Sequence, residues 1–111
     1  MHFIETPIFT RRLKSLLAEE EYRELQNALI KQPEAGAAIR GSGGVRKLRW
    51  VAKGRGKSGG VRVIYYWFVS AEKFLLLFIY PKNEQDNLTP EQMKRMKTLV
   101  EQELKNACRT V

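Results

Sequence analysis

Two apolar runs, residues 61–69 and 74–80, are separated only by the short segment Ser70-Ala71-Glu72-Lys73. The first is β-branched and aromatic almost throughout, the composition of a central strand covered on both faces. Each is far too short to span a bilayer. Joined by a tight turn, they predict an antiparallel pair. Residues 45–52 precede them with strand-like alternation: Leu48, Trp50 and Ala52 share one face, and Lys47, Arg49 and Val51 share the other. A meander of three antiparallel strands follows, with residues 54–60 as the loop between the first two.

Helical patterns flank this sheet. After a possible edge strand at residues 2–5, Thr6-Pro7 forms an N-cap with proline at the first helical position. Phe9, Leu13, Leu16 and Leu17 continue at helical spacing. A second helix is predicted from Glu19, whose acidic neighbours suit the positive end of the helix dipole. Its stripe is Tyr22, Leu25 and Leu29, and Pro33 with Gly36 ends it. The short break between these helices predicts an antiparallel hairpin. Thr89-Pro90-Glu91-Gln92 is a capping box that opens a last helix with Met93, Met96, Val100, Leu104 and Ala107 on one side. The expectation is one α+β domain over residues 1–111: a small antiparallel β-sheet, an N-terminal helical hairpin and a C-terminal helix.

Charge narrows the function. The chain has a net charge of +8, and the eight cations Arg40, Arg46, Lys47, Arg49, Lys53, Arg55, Lys57 and Arg62 lie between residues 35 and 71, where no acidic residue occurs. All eight glycines fall within residues 36–60. Segregated positive charge in a glycine-permissive segment is the footprint expected of a phosphate-backbone ligand. The lone Cys108 cannot form an internal disulfide and reads as a half-buried thiol near a helix end, in a soluble, cytoplasmic chain with no leader and no membrane segment.

Several familiar sites are excluded. Gly56-Lys57-Ser58 is not a P-loop, because Val51 stands where the first glycine is needed and a strand, not a helix, follows. The only histidine is His2, no Cys/His set has metal-ligand spacing, and no cofactor is implied. Acid–base work at a phosphate would fall to lysines and arginines. Fixed cations stabilise a phosphorane-like transition state, and a lysine crowded by other cations is brought closer to proton transfer. Trp50 and the Tyr65-Tyr66-Trp67-Phe68 cluster read as core. Tyr80, at a strand end before Pro81-Lys82-Asn83-Glu84, is expected to be half exposed beside a cation, where it could stack on a base.

The run Lys53-Gly-Arg-Gly-Lys57-Ser-Gly-Gly-Val-Arg62-Val-Ile-Tyr-Tyr66, followed by Phe78-Ile-Tyr80-Pro-Lys82-Asn-Glu84, resembles the RelE superfamily of bacterial toxins, most closely its HigB branch. The likeness runs from the first helix to the Lys-Asn-Glu segment. It implies a toxin of a type II toxin–antitoxin system with endoribonuclease activity on translated messenger RNA in the ribosomal A site. The 2′-hydroxyl would attack the adjacent phosphate. Carried over on matching positions, Lys53, Lys57, Arg62 and Lys82 are the candidate catalytic residues, and Arg46, Arg49, Arg55 and Tyr80 the candidate RNA contacts. Some relatives place a catalytic tyrosine beyond Tyr80; none follows here, and a lysine is the expected base. The resemblance also implies a cognate antitoxin, usually with a helix-turn-helix domain, through which alone operator DNA would be met. Two alternatives share the charge pattern: a non-enzymatic gyrase-inhibiting toxin of the ParE type, and a plain RNA- or DNA-binding module.

Overall fold

The computed structural model describes residues 2–51 and 60–109, with side chains in the last helix described through Lys105. Its elements run β1 (His2–Glu5), α1 (Pro7–Leu16), α2 (Glu19–Lys31), β2 (Ala37–Ala38), β3 (Arg46–Trp50), β4 (Val61–Phe68), β5 (Lys73–Pro81) and α3 (Pro90–Arg109). The five strands form one sheet in the order β1-β5-β4-β3-β2. The expected meander is β3, β4 and β5, all antiparallel. Two features differ from expectation. β1 joins β5 in parallel, which makes the sheet mixed, and the two-residue β2, too short to leave a periodic signal, caps part of the edge of β3. The α+β class stands.

Alternation on the central strand divides the core. Val61, Val63 and Tyr65 face α1 and α2, meeting Phe9, Leu13, Leu25 and Leu29. Ile64 and Phe68 face α3, meeting Met96 and Val100. Trp50 and Trp67 pack half-buried against the first cluster and Tyr66 against the second, while Leu104 is 41% exposed, outside the stripe expected of α3. The side chains of Ala107 and Cys108 lie outside the described residues. Among the described residues no helix is long and apolar enough to cross a membrane.

The β4–β5 ladder contains one irregularity. Tyr65 pairs with Leu76 but Ile64 with Phe78, so Leu77 is an extra residue on β5. A bulge leaves backbone groups without their ladder partners. Here the Thr6 hydroxyl donates to the Leu77 carbonyl at 2.8 Å, and the Thr6 N–H donates to the Leu76 carbonyl. The same hydroxyl oxygen accepts from the Phe9 N–H at 3.2 Å, completing the N-cap of α1. One threonine therefore starts a helix and closes a bulge. The predicted capping box is also formed, with the Thr89 N–H donating to the Gln92 side chain and the Gln92 N–H donating to Thr89 Oγ1.

Three phenols are held protonated by their surroundings. Burial is the largest cause raising Tyr22, followed by its hydrogen bond to the Glu5 carboxylate. Burial likewise raises Tyr65, against smaller opposing effects of the Gly36 N–H and Arg46. It raises Tyr80, against the opposing charge of Arg62.

Two outcomes follow from these contacts. Thr6→Ala removes a cap and leaves a buried carbonyl without its donor, so urea unfolding should show a loss of about 2 kcal/mol, while Thr6→Ser retains most of the stability. The raised phenols fix the alkaline limb. The unfolded chain releases phenolic protons near pH 10 while the folded one retains them, so stability should be level below about pH 10 and fall as pH rises above it. Tyr80→Phe should make that fall shallower in pH-dependent unfolding, at little cost near neutrality.

Candidate functional site

Directly opposed residues in a sheet share a face. Arg49 on β3 opposes Arg62 on β4, and Arg62 opposes Tyr80 on β5. The three form a row across the sheet on the α3 face. Arg49 is exposed, whereas Arg62 is only 7% exposed, with its Nη1 donating to the Val61 carbonyl at 3.3 Å. Two guanidinium-bearing residues directly opposed repel each other in a strand pair. An anion above the row would relieve that repulsion.

The row sits next to the end of the sheet where β3 gives way to β4. Trp50 opposes Val61, and Val61 opposes Pro81. Just beyond, the Lys82 N–H donates to the Gly60 carbonyl at 3.1 Å, which fixes the start of the 82–84 turn against the mouth of the β3–β4 connection. Gly60 is required there: it has φ +70°, and a Cβ would meet the Trp50 carbonyl oxygen at 2.2 Å. Lys82 is exposed. The candidate residues Lys53, Arg55 and Lys57 lie outside the described residues.

The structure thus brings Arg49, Arg62 and Lys82 to one end of the sheet. Arg46 it does not. By alternation Arg46 belongs to the opposite face, opposing Tyr65, and its Nη1 donates to the Gly36 carbonyl at 2.7 Å. Tyr80 is corrected as well. Expected to be half exposed, it is fully buried, packed 5.6 Å from the Phe78 ring, with its hydroxyl directed to the Asp86 carbonyl at 3.3 Å. α3 covers the face on which its ring lies, so it offers no stacking platform. A strand-end position had suggested exposure, and a covering helix removes it.

Sequence reasoning did not assign Lys47 or Asn87. Lys47 lies on the Arg49 face, and its Nζ donates to Asn87 Oδ1 at 2.9 Å. It ties β3 to the segment before α3. The alternation of β3 signalled its face, but nothing in the sequence signalled its partner.

What the arrangement can do is hold phosphate. A nearly buried guanidinium and an exposed arginine beside it are positioned by strand register, and an exposed lysine stands at the adjoining turn.

With this geometry stands a family comparison. The family model described as the RelE toxin of the RelE/RelB toxin–antitoxin system matches residues 4–110, nearly the full chain and Arg49, Arg62 and Lys82 with it. The chain belongs to the RelE toxin family, and is thus the toxin half of a toxin–antitoxin pair, with a cognate antitoxin as its partner.

Proposed function

We propose that this toxin is a ribosome-dependent endoribonuclease of the HigB branch that cuts translated messenger RNA in the cytoplasm and so arrests translation. The observation that carries the reading is the row of Arg49 and Arg62 beside Lys82, facing the end of the sheet where the lysine-rich connection begins. A gyrase poison of the ParE type or a simple binding module would not need a deeply set guanidinium at that place.

In the proposed reaction the ribose 2′-oxygen attacks the adjacent phosphorus as Lys53, in its neutral form, takes the 2′-hydroxyl proton. The bond from phosphorus to the 5′-oxygen breaks, and that oxygen takes a proton from water as it leaves, while Lys53 returns the one it accepted to solvent. The products are a 2′,3′-cyclic phosphate and a free 5′-hydroxyl. Arg62 and Lys57 stabilise the charge that builds on the non-bridging oxygens, which is the largest contribution fixed cations make to such a step. Lys82 contacts phosphate as a point charge, and Arg49 and Arg55 track the backbone. The antitoxin, with a helix-turn-helix domain, neutralises this surface with an acidic segment and alone reaches operator DNA.

Four measurements test this. Arg62→Ala should lower single-turnover cleavage on programmed ribosomes by about 10²–10³-fold while the variant still folds and binds its antitoxin; wild-type toxicity would remove Arg62 from the reaction. Lys53→Arg keeps charge but cannot transfer a proton, so it should bind ribosomes nearly as well yet lose cleavage. RNA affinity should fall steeply with salt, and Arg49→Gln should flatten the log–log slope by roughly 0.7. Primer extension after brief induction separates the readings: cuts confined to translated RNA support this one, whereas gyrase-linked DNA breaks contradict it.

A further inference from the structure

The turn that carries Lys82 is tied down far more thoroughly than an exposed turn needs to be. Glu84 N–H donates to the Pro81 carbonyl at 3.0 Å, and Lys82 N–H is bonded to Gly60. On the side of α1, Arg12 Nη2 donates to both carboxylate oxygens of Glu84 at 2.6 Å. The same guanidinium lies 4.9 Å from the centre of the Phe78 ring. Arg12, Pro81 and Glu84 line one open groove of about 630 Å³ between α1 and the turn. On the side of the sheet, Asp86 receives the Tyr80 hydroxyl and Asn87 receives Lys47.

An ion pair as exposed as Arg12–Glu84, at 30% and 43%, adds little to stability. Its effect is on where a charge goes. Glu84 lies two residues from Lys82, within the same tight turn. Released from Arg12, it is the nearest carboxylate in the sequence to the Lys82 ammonium, and pairing between them would neutralise the cation of an exposed residue.

We propose that Arg12 and Glu84 are a positioning pair: Arg12 sequesters the Glu84 carboxylate against α1, which fixes the turn and keeps the Lys82 ammonium available to an RNA phosphate. The role of Lys82 rests on the functional reading above; the sequestration does not. Arg12 and Glu84 act through Lys82 and touch no reacting atom.

The pair makes an unusual demand on a mutant cycle. If Arg12 merely braced the turn through Glu84, removing Glu84 as well would leave the loss unrepaired. If it restrains a competitor, removing the competitor repairs the loss. The experiment compares wild type, Arg12→Ala, Glu84→Gln, the double variant and Lys82→Ala at one salt concentration. It measures RNA affinity, single-turnover cleavage and the rate at which the Lys82 amine is acetylated by a small reagent. The last readout needs no activity at all.

Arg12→Ala should slow Lys82 acetylation and weaken RNA affinity and cleavage by about two- to fivefold, the scale of an exposed ion pair. Glu84→Gln should change each by less, and the double variant should return to the level of Glu84→Gln, with thermal midpoints close to wild type throughout. A double variant as impaired as Arg12→Ala, or unchanged Lys82 acetylation in Arg12→Ala, overturns the inference. Normal affinity and cleavage in Lys82→Ala instead removes Lys82 from the functional reading, and the acetylation series still decides whether Arg12 sequesters Glu84.

Discussion

The single extra residue at Leu77 decides what the site is made of. Below it Tyr65 opposes Leu76; above it Arg62 opposes Tyr80. Had the lower register continued, Arg62 would oppose Ile79, and Tyr80 would fall on the face covered by α1 and α2. A slip of one residue exchanges the two faces of a strand. The bulge therefore buries Tyr80 beneath α3 and brings the Lys82 N–H within reach of the Gly60 carbonyl. It is possible only because its freed carbonyl has a donor, and that donor is Thr6, at the junction of β1 and α1. The N-terminus of the chain thus supports geometry that appears at the far end of the sheet.

Positive charge in this protein divides by partner. Arg12, Arg46, Lys47 and Lys73 are each engaged with a carboxylate, a carbonyl or an amide oxygen. They fasten α1 to the turn after β5, and the segment after α2, the segment before α3 and α3 itself to the sheet. Arg49 and Lys82 are presented to solvent instead. A run of like charge along the sequence is therefore not one surface. Alternation along β3 sends Arg46 to one face and Arg49 to the other, and hydrogen bonding then commits Arg46 and Lys47 to structure.

Much of this was legible in the sequence because it depends on local chemistry. Thr6-Pro7 and Thr89-Pro90-Glu91-Gln92 announce helix starts through the side chains that satisfy first-turn N–H groups, and the β-branched content of residues 61–69 announces a central strand. The face of each residue on β3 followed from period two. The bulge was not legible, because Leu77 and Phe78 are both apolar and either register buries them. The burial of Tyr80 was not legible either, since it depends on where α3 lies. β2 escaped because two alanines carry no periodicity. In each case the missing information is a relation between distant segments, which no local pattern encodes.

Arg62 stands between Val61 and Val63 in the most buried strand of the protein, at 7% exposure. An apolar residue there would need no hydrogen-bonding partner and would suit a central strand better than a guanidinium does. On the proposed role of Arg62, folding and toxicity pull this position in opposite directions. A copy of the chain that drifts to an aliphatic residue at 62 should persist as a well-folded protein rather than be cleared. Such a copy would still engage the antitoxin, and by occupying it would change the dose at which an intact toxin elsewhere in the same cell escapes control.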